Sequence, residues 1–217
     1  MDWSPLIISL KTSFTATAIA FVLGILAAGK VARLRGLFQT LLDTLFTLPM
    51  VLPPTVLGFF LLLLFGRNSP IGKAMLSIGI RIIFSWESTV IAAAVVAFPL
   101  IYRTVRASFE QIDPTILAAA RTLGLSERSI FWRIMMPMAA PGAAGGTILG
   151  FARALGEFGA TLMIAGNIPG RTQTIPVAIY FAAEGGDMNS ALLWVMVIVS
   201  ISFAVIVLLN LKGGKKT

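Results

Sequence analysis

Residues 109–138 read FEQIDPTILAAARTLGLSERSIFWRIMMPM. Asp113-Pro114 is a helix start, with Asp at the N-cap and Pro in the first helical position. Helix formers follow to Leu123, and Gly124 is placed to end the helix in a left-handed cap. Ser126-Glu127 opens a second short helix, which Pro137 is expected to end. The reading is two short amphipathic helices around a glycine turn. On either side lies an apolar run long enough to cross a bilayer, Ser88 to Ser108 before it and Ala139 to Ala165 after it. A polar helical hairpin between two spans sets the frame for the whole chain.

Working outward, three further runs cross a hydrocarbon core of about 30 Å at 1.5 Å per residue. They are Leu6 to Gly29, Thr44 to Gly66 and Leu192 to Leu211, so the chain has five spans in one transmembrane domain, residues 1–217. Composition agrees, since 57% of the 217 residues are hydrophobic and only 12% are charged. A soluble domain carries about a quarter charged residues. The first run is expected to be a retained span: Ala27-Ala28-Gly29 looks faintly like a signal cleavage site, but Asp2 precedes the run and Lys30, Arg33 and Arg35 follow, the reverse of a signal's charge order.

Positive charge orients the spans. Lys30, Arg33 and Arg35 fall on one side, with Arg103, Arg106, Arg121, Arg128 and Arg133 of the long hairpin segment and Lys212, Lys215 and Lys216 of the tail. The opposite loops hold Arg67, Lys73, Arg81 and Arg171, partly offset by Glu87, Glu184 and Asp187. The N-terminus is therefore expected outside and the C-terminus in the cytoplasm. Lys11, near the outer end of the first span, can snorkel to the interface.

The net charge of +8 sits in these short clusters, which argues against nucleic-acid binding. Cysteine and histidine are both absent. That removes thiolate metal sites, cysteine nucleophiles and histidine bases, so no catalytic or metal site is expected. The nearest approach to a nucleotide-binding G-x-x-x-x-G-K-[ST] loop runs from Gly66 to Ala74. It has one residue too many between its glycines, Ala where Mg²⁺ needs a hydroxyl, and an outer position. Energy for any pumping must come from another chain.

Ala119-Ala120, then Gly124, then nine residues to Ile134, then Pro137 resembles the signature loop of binding-protein-dependent ABC importer permeases. In that family the loop reads Glu-Ala-Ala, three residues, Gly, nine residues, Ile-x-Leu-Pro. Here Ala118 stands where the family has Glu, and Met136 where it has Leu. Residues 151–177, with Ala165-Gly166-Asn167-Ile168-Pro169-Gly170-Arg171-Thr172-Gln173-Thr174-Ile175-Pro176, and the stretch Leu48–Gly58 look like the molybdate-type permeases. The sulfate and thiosulfate permeases are close behind. The resemblance implies an all-α permease fold, with Ala118, Ala119, Ala120, Arg121, Gly124, Ile134 and Pro137 coupling to a separate ATPase. It also implies a homodimer in the cytoplasmic membrane of a bacterium or archaeon, a cytoplasmic ATPase dimer that uses ATP and Mg²⁺, and a periplasmic or lipid-anchored oxyanion-binding protein. This chain then needs no cofactor of its own. Arg121, Arg128 and Arg133 would meet an acidic docking surface, or serve only as topology-setting charge.

Three features bear on a pathway. Pro49, Pro53 and Pro54 interrupt the second span, and the freed carbonyls need protein or water. Either a kink between neighbours or a cavity meets that need. Gly142, Gly146, Gly150 and Ala154 recur every four residues, a ridge for close helix packing. Arg153 and Glu157 lie roughly 18 and 24 Å along the fourth span from Pro141. They are four residues apart, as either a structural ion pair or a gate. Molybdate is the expected cargo, with sulfate, thiosulfate or tungstate as alternatives and a passive anion channel as the reading outside the transporter class.

Overall fold

The computed structural model describes residues 2–213, with side chains to Val207; Lys215 and Lys216 and the side chain of Lys212 lie outside that range. Every regular element among the described residues is helical. Five are α1 (Ser4–Val31), α2 (Leu37–Val51), α3 (Pro54–Phe65), α4 (Pro70–Ser77) and α5 (Trp86–Glu110). Then come α6 (Pro114–Thr122), α7 (Glu127–Ile130), α8 (Met136–Leu155), α9 (Gly159–Ala165), α10 (Ile175–Glu184) and α11 (Met188–Gly213).

Helix α5 is the central post. Two-thirds of its apolar window is buried (67%), against 11% for α11, so α5 packs on protein while α11 presents its surface outward. The reason lies in small residues on its two neighbours. On α1, Ser9, Thr12, Ser13, Ala16, Thr17, Ala20, Gly24 and Ala28 form a buried stripe. A Cβ on Gly24 would come within 3.1 Å of Ile101 and 3.3 Å of the Tyr102 amide. Hydroxyls bind the same seam: Thr12 and Thr89 share a 2.8 Å hydrogen bond, and the Trp86 indole donates to Thr12 at 3.0 Å. With no hydrophobic drive between helices in lipid, close approach and interhelical hydrogen bonds supply the cohesion. Lys11 covers the Trp86 end of this seam, its Nζ 3.9 Å from the centre of the Trp86 ring.

Helix α8 packs along α5 as well and also touches α1, so that Ile101 meets both neighbours. A Cβ on Gly142 would strike Ser108, one on Gly146 would sit 2.9 Å from the Thr104 Cβ, and one on Gly150 2.8 Å from Ile101. Ala154 is buried at the end of the same row.

Four expectations need correction. The second span begins at Leu37, not Thr44, and is two helices bent by 114° at Leu52-Pro53. Pro53 and Pro54 give no amide to the turn before them, so the helix cannot continue. Pro137 does not end a short helix. The chain runs helically from Glu127 to Leu155, because a π turn over Phe131–Met135 widens the coil just before the proline, and the ring passes in the first turn of α8. The fourth span is not continuous to Ala165, since Gly156–Phe158 separate α8 from α9 and place Glu157 beyond the helix end. The segments after α3 and α9, expected to be outer loops, contain α4 and α10, and the last helix starts at Met188, not Leu192. Both α4 and α10 are shorter than a span, so a search for runs of bilayer length passes over them.

Candidate pathway and coupling segment

The hairpin segment is built to be rigid and exposed. The Asp113 carboxylate accepts the Thr115 amide at 2.8 Å, and that bond holds its pKa below the usual carboxylate value. At the other end of α6, Gly124 has φ of +78°. The Gly124 amide donates to the Arg121 carbonyl at 2.9 Å and the Leu125 amide to the Ala120 carbonyl at 3.1 Å. This pair of bonds is the Schellman closure, which needs a left-handed residue after the helix. Ser126 then caps α7. Arg121 Nε donates to Glu127 Oε1 at 2.6 Å across the turn, which raises the Arg121 pKa.

Within that frame Ala120 and Leu117 face the core. Ala118, Ala119 and Arg121 are exposed, and so are Ile116 (40%) and Leu123 (81%). Ile116, Ala119 and Leu123 lie three and four residues apart, one apolar face turned away from the subunit. Further along, Ile134 packs against the core and Pro137 is exposed. The segment is tied back to the first span where Arg33 Nη2 donates to the Glu127 carbonyl at 3.4 Å.

The two broken helices cross at their breaks. A Cβ on Gly159, at the start of α9, would lie 3.0 Å from Pro54 Cβ and 3.3 Å from the Thr55 amide. Gly58 on α3 meets Ala160 and Met163 just as closely. Pro53 and Pro54 are thus brought beside the Glu157 break, whereas Pro49 lies apart against Ala20, Ala94 and Phe98 in an apolar recess. Glu157 is 2% exposed. Its Oε1 accepts the Ala160 amide at 2.8 Å, capping α9. Its Oε2 lies 2.9 Å from Arg153 Nη1, an ion-pair contact whose angle does not make a hydrogen bond. The carboxylate therefore positions the break as well as neutralising Arg153. Glu157→Gln keeps the acceptor and removes the charge, and it is expected to lower transport with near-normal membrane levels. Glu157→Leu also removes the cap, worth about 1 kcal/mol, and is expected to lower the folded yield as well. Equal yields for the two variants in detergent extracts would show that the cap contributes nothing.

A second polar cluster joins α2 to α5 near the start of the α6 hairpin. Arg106 pairs with Asp43 and, at 3.0 Å, with Glu110. Tyr102 donates to Asp43, and Arg106 Nη1 donates to Tyr102 at 3.2 Å. Gln39, with its amide oxygen turned inward, accepts from Arg106 Nη2 at 2.9 Å. A cavity of about 450 Å³ opens beside this cluster, lined also by Thr40, Thr44, Thr47 and Arg103. Sequence reading passed over Asp43 because the span was begun one residue after it. The available signal was an acid inside the apolar run Leu41-Leu42-Asp43-Thr44-Leu45, where ionisable groups are costly and seldom idle. No residue of α2 is buried, so this network is a principal anchor of that helix. Asp43→Asn and Arg106→Gln should each destabilise the subunit in chemical denaturation in micelles, and the double variant by less than their sum. The expected coupling is about 0.5–3 kcal/mol; strict additivity would mean that the ion pair contributes nothing.

The family described as binding-protein-dependent transport system inner membrane component matches residues 20–211. This chain belongs to that family. It is 46% identical to a putative molybdenum transport system permease protein of Bacillus subtilis (strain 168), over 97% of this chain and 93% of the relative. It is 42% identical to the molybdenum transport system permease protein of Escherichia coli (strain K12), over 96% and 91%. Its fold is that of a bacterial ABC transporter involved in alginate import, with a TM-score of 0.76 at 15% identity over 100% of this chain and 82% of that one. An amino acid ABC transporter superposes at 0.67 and 18% identity, over 96% and 90%.

Proposed function

We propose that this chain is the transmembrane permease subunit of an ATP-driven importer and that its cargo is molybdate. The observation that carries the cargo is likeness at 42% and 46% identity to two permeases named for molybdenum transport, across more than nine-tenths of each chain. The capped and exposed α6 turn supports the mode of action. A rigid lever joined to the end of α5 and continuous with α8 transmits a rigid-body motion from a soluble motor to the two central helices. Two copies of the chain enclose the path, two cytoplasmic ATPase subunits dock on the two α6 faces, and an outer binding protein delivers the anion. The N-terminus lies outside and the C-terminus inside, in the cytoplasmic membrane of a bacterium or archaeon. Alternating access moves the anion with no covalent step. ATP and Mg²⁺ act in the partner, and this chain supplies the passage and the lever.

The test is uptake of radiolabelled molybdate into proteoliposomes holding this chain, its ATPase and its binding protein, with sulfate as competitor. ATP-dependent uptake that sulfate barely reduces is the expected result. Uptake abolished by sulfate would assign the chain to sulfate transport, and uptake independent of ATP would make it a channel.

A further inference from the structure

Arg67 follows α3, Arg81 lies between α4 and α5, and Arg171 lies between α9 and α10. Three separate outer loops bring these side chains to one cavity of about 610 Å³. All three are exposed at its edge, and none takes part in an ion pair among the described residues. Glu87, on the first turn of α5, is within Coulombic reach of Arg171 and Lys11, so the mouth keeps a positive balance. The remaining wall is largely apolar, with Phe65, Ile83 and Phe84 among its lining.

The backbone around this cavity is held in place at some cost. Phe84 has φ of +60°, a left-handed conformation that a bulky residue seldom adopts. Its amide donates to the Ile164 carbonyl at 3.0 Å, and its ring lies where a Cβ on Gly166 would meet it at 3.1 Å. Elsewhere in the lining, the Gly72 amide donates to Ser69, which caps α4, at 2.8 Å. A Cβ on Gly72 would strike the Gly66 carbonyl oxygen. Strain maintained by surrounding structure collects at functional sites, and here it falls on a residue of the cavity lining three positions after Arg81.

We propose that this outer cavity is a binding site for a tetrahedral oxyanion, held by Arg67, Arg81 and Arg171 as the anion enters the permease. Guanidinium groups match such oxygens bidentately, and low-dielectric walls concentrate their field. The proposal rests on the transport reading above for its direction of flow. A free dianion and a phospholipid headgroup share the recognising chemistry, and the free anion is the occupant assigned here.

The experiment uses the permease with its ATPase in phosphatidylcholine nanodiscs and measures equilibrium binding of radiolabelled molybdate. Wild type is expected to bind saturably. The triple variant Arg67→Gln, Arg81→Gln, Arg171→Gln is expected to bind at least roughly a hundredfold more weakly, since each charge-assisted hydrogen bond lost is worth about tenfold. The single variant Arg171→Gln should fall between them. Absence of saturable binding by wild type, or equal binding by wild type and the triple variant, would overturn the proposal. Loss of wild-type binding when phosphatidylglycerol is added would assign the cavity to a lipid headgroup and overturn the free-anion site. Unchanged molybdate binding in the triple variant with weakened affinity for the binding protein would make the arginines a protein contact instead. Uptake by the same variants in the proteoliposomes described above separates the two readings. A wild type that imports molybdate but binds none in the cavity refutes only the site, whereas one that binds but never imports refutes the transport reading.

Discussion

Gly124→Pro is expected to abolish ATP-driven uptake while leaving the subunit inserted in the membrane. The residue sits at φ of +78°, and proline holds φ near −65°. The Gly124 and Leu125 amides that close α6 would both be lost from their partners, one for want of a hydrogen and the other because the turn reverses. The α6 face of Ile116, Ala119 and Leu123 would then point elsewhere. A cost of about 3 kcal/mol, typical of a misplaced proline, corresponds to more than a hundredfold loss of the docked geometry. No part of any membrane span is touched, so detergent-extracted yield should be close to wild type. Gly124→Asn is the control, because Asn adopts the left-handed conformation. Normal uptake by the proline variant would remove α6 from the coupling role.

Gly146→Leu is expected to have the largest effect on stability. Its Cβ alone would stand 2.9 Å from the Thr104 Cβ, a branch point on α5 that cannot swing aside without moving the backbone. Overpacking of this kind costs about 1–3 kcal/mol, and here it parts the two helices on either side of the hairpin segment. Gly145 provides an internal comparison, since a Cβ there meets nothing within 4 Å. Gly145→Leu should leave the melting temperature in detergent nearly unchanged, whereas Gly146→Leu should lower it clearly. Equal melting of the two variants would mean that the α5–α8 seam tolerates separation.

Those two variants also mark how far local reading reaches. The Gly124 turn was legible because everything that makes it is within a dozen residues: an Asp-Pro start, helix formers, a glycine. The glycine ridge was legible as a period of four, but nothing in the period says that its partner is Thr104 rather than a lipid tail. Asp43 was missed by one residue at a span boundary, and Glu157 was placed on a helix that in fact stops before it. Its dual role as cap for α9 and counter-ion for Arg153 depends on that stop.

The chain's own sequence determined membrane class, the polar hairpin and its glycine closure, because transfer free energy and capping are set by residues adjacent in the chain. Only the tertiary structure decided that two broken helices cross at Pro54 and Gly159, that Asp43 meets Arg106, and that three arginines from separate loops share one cavity. Those meetings depend on how each helix is rotated about its axis and on loop paths between distant segments. Apolar side chains facing lipid and apolar side chains facing protein are alike in sequence, so the rotation is settled by close packing of small residues across the seams.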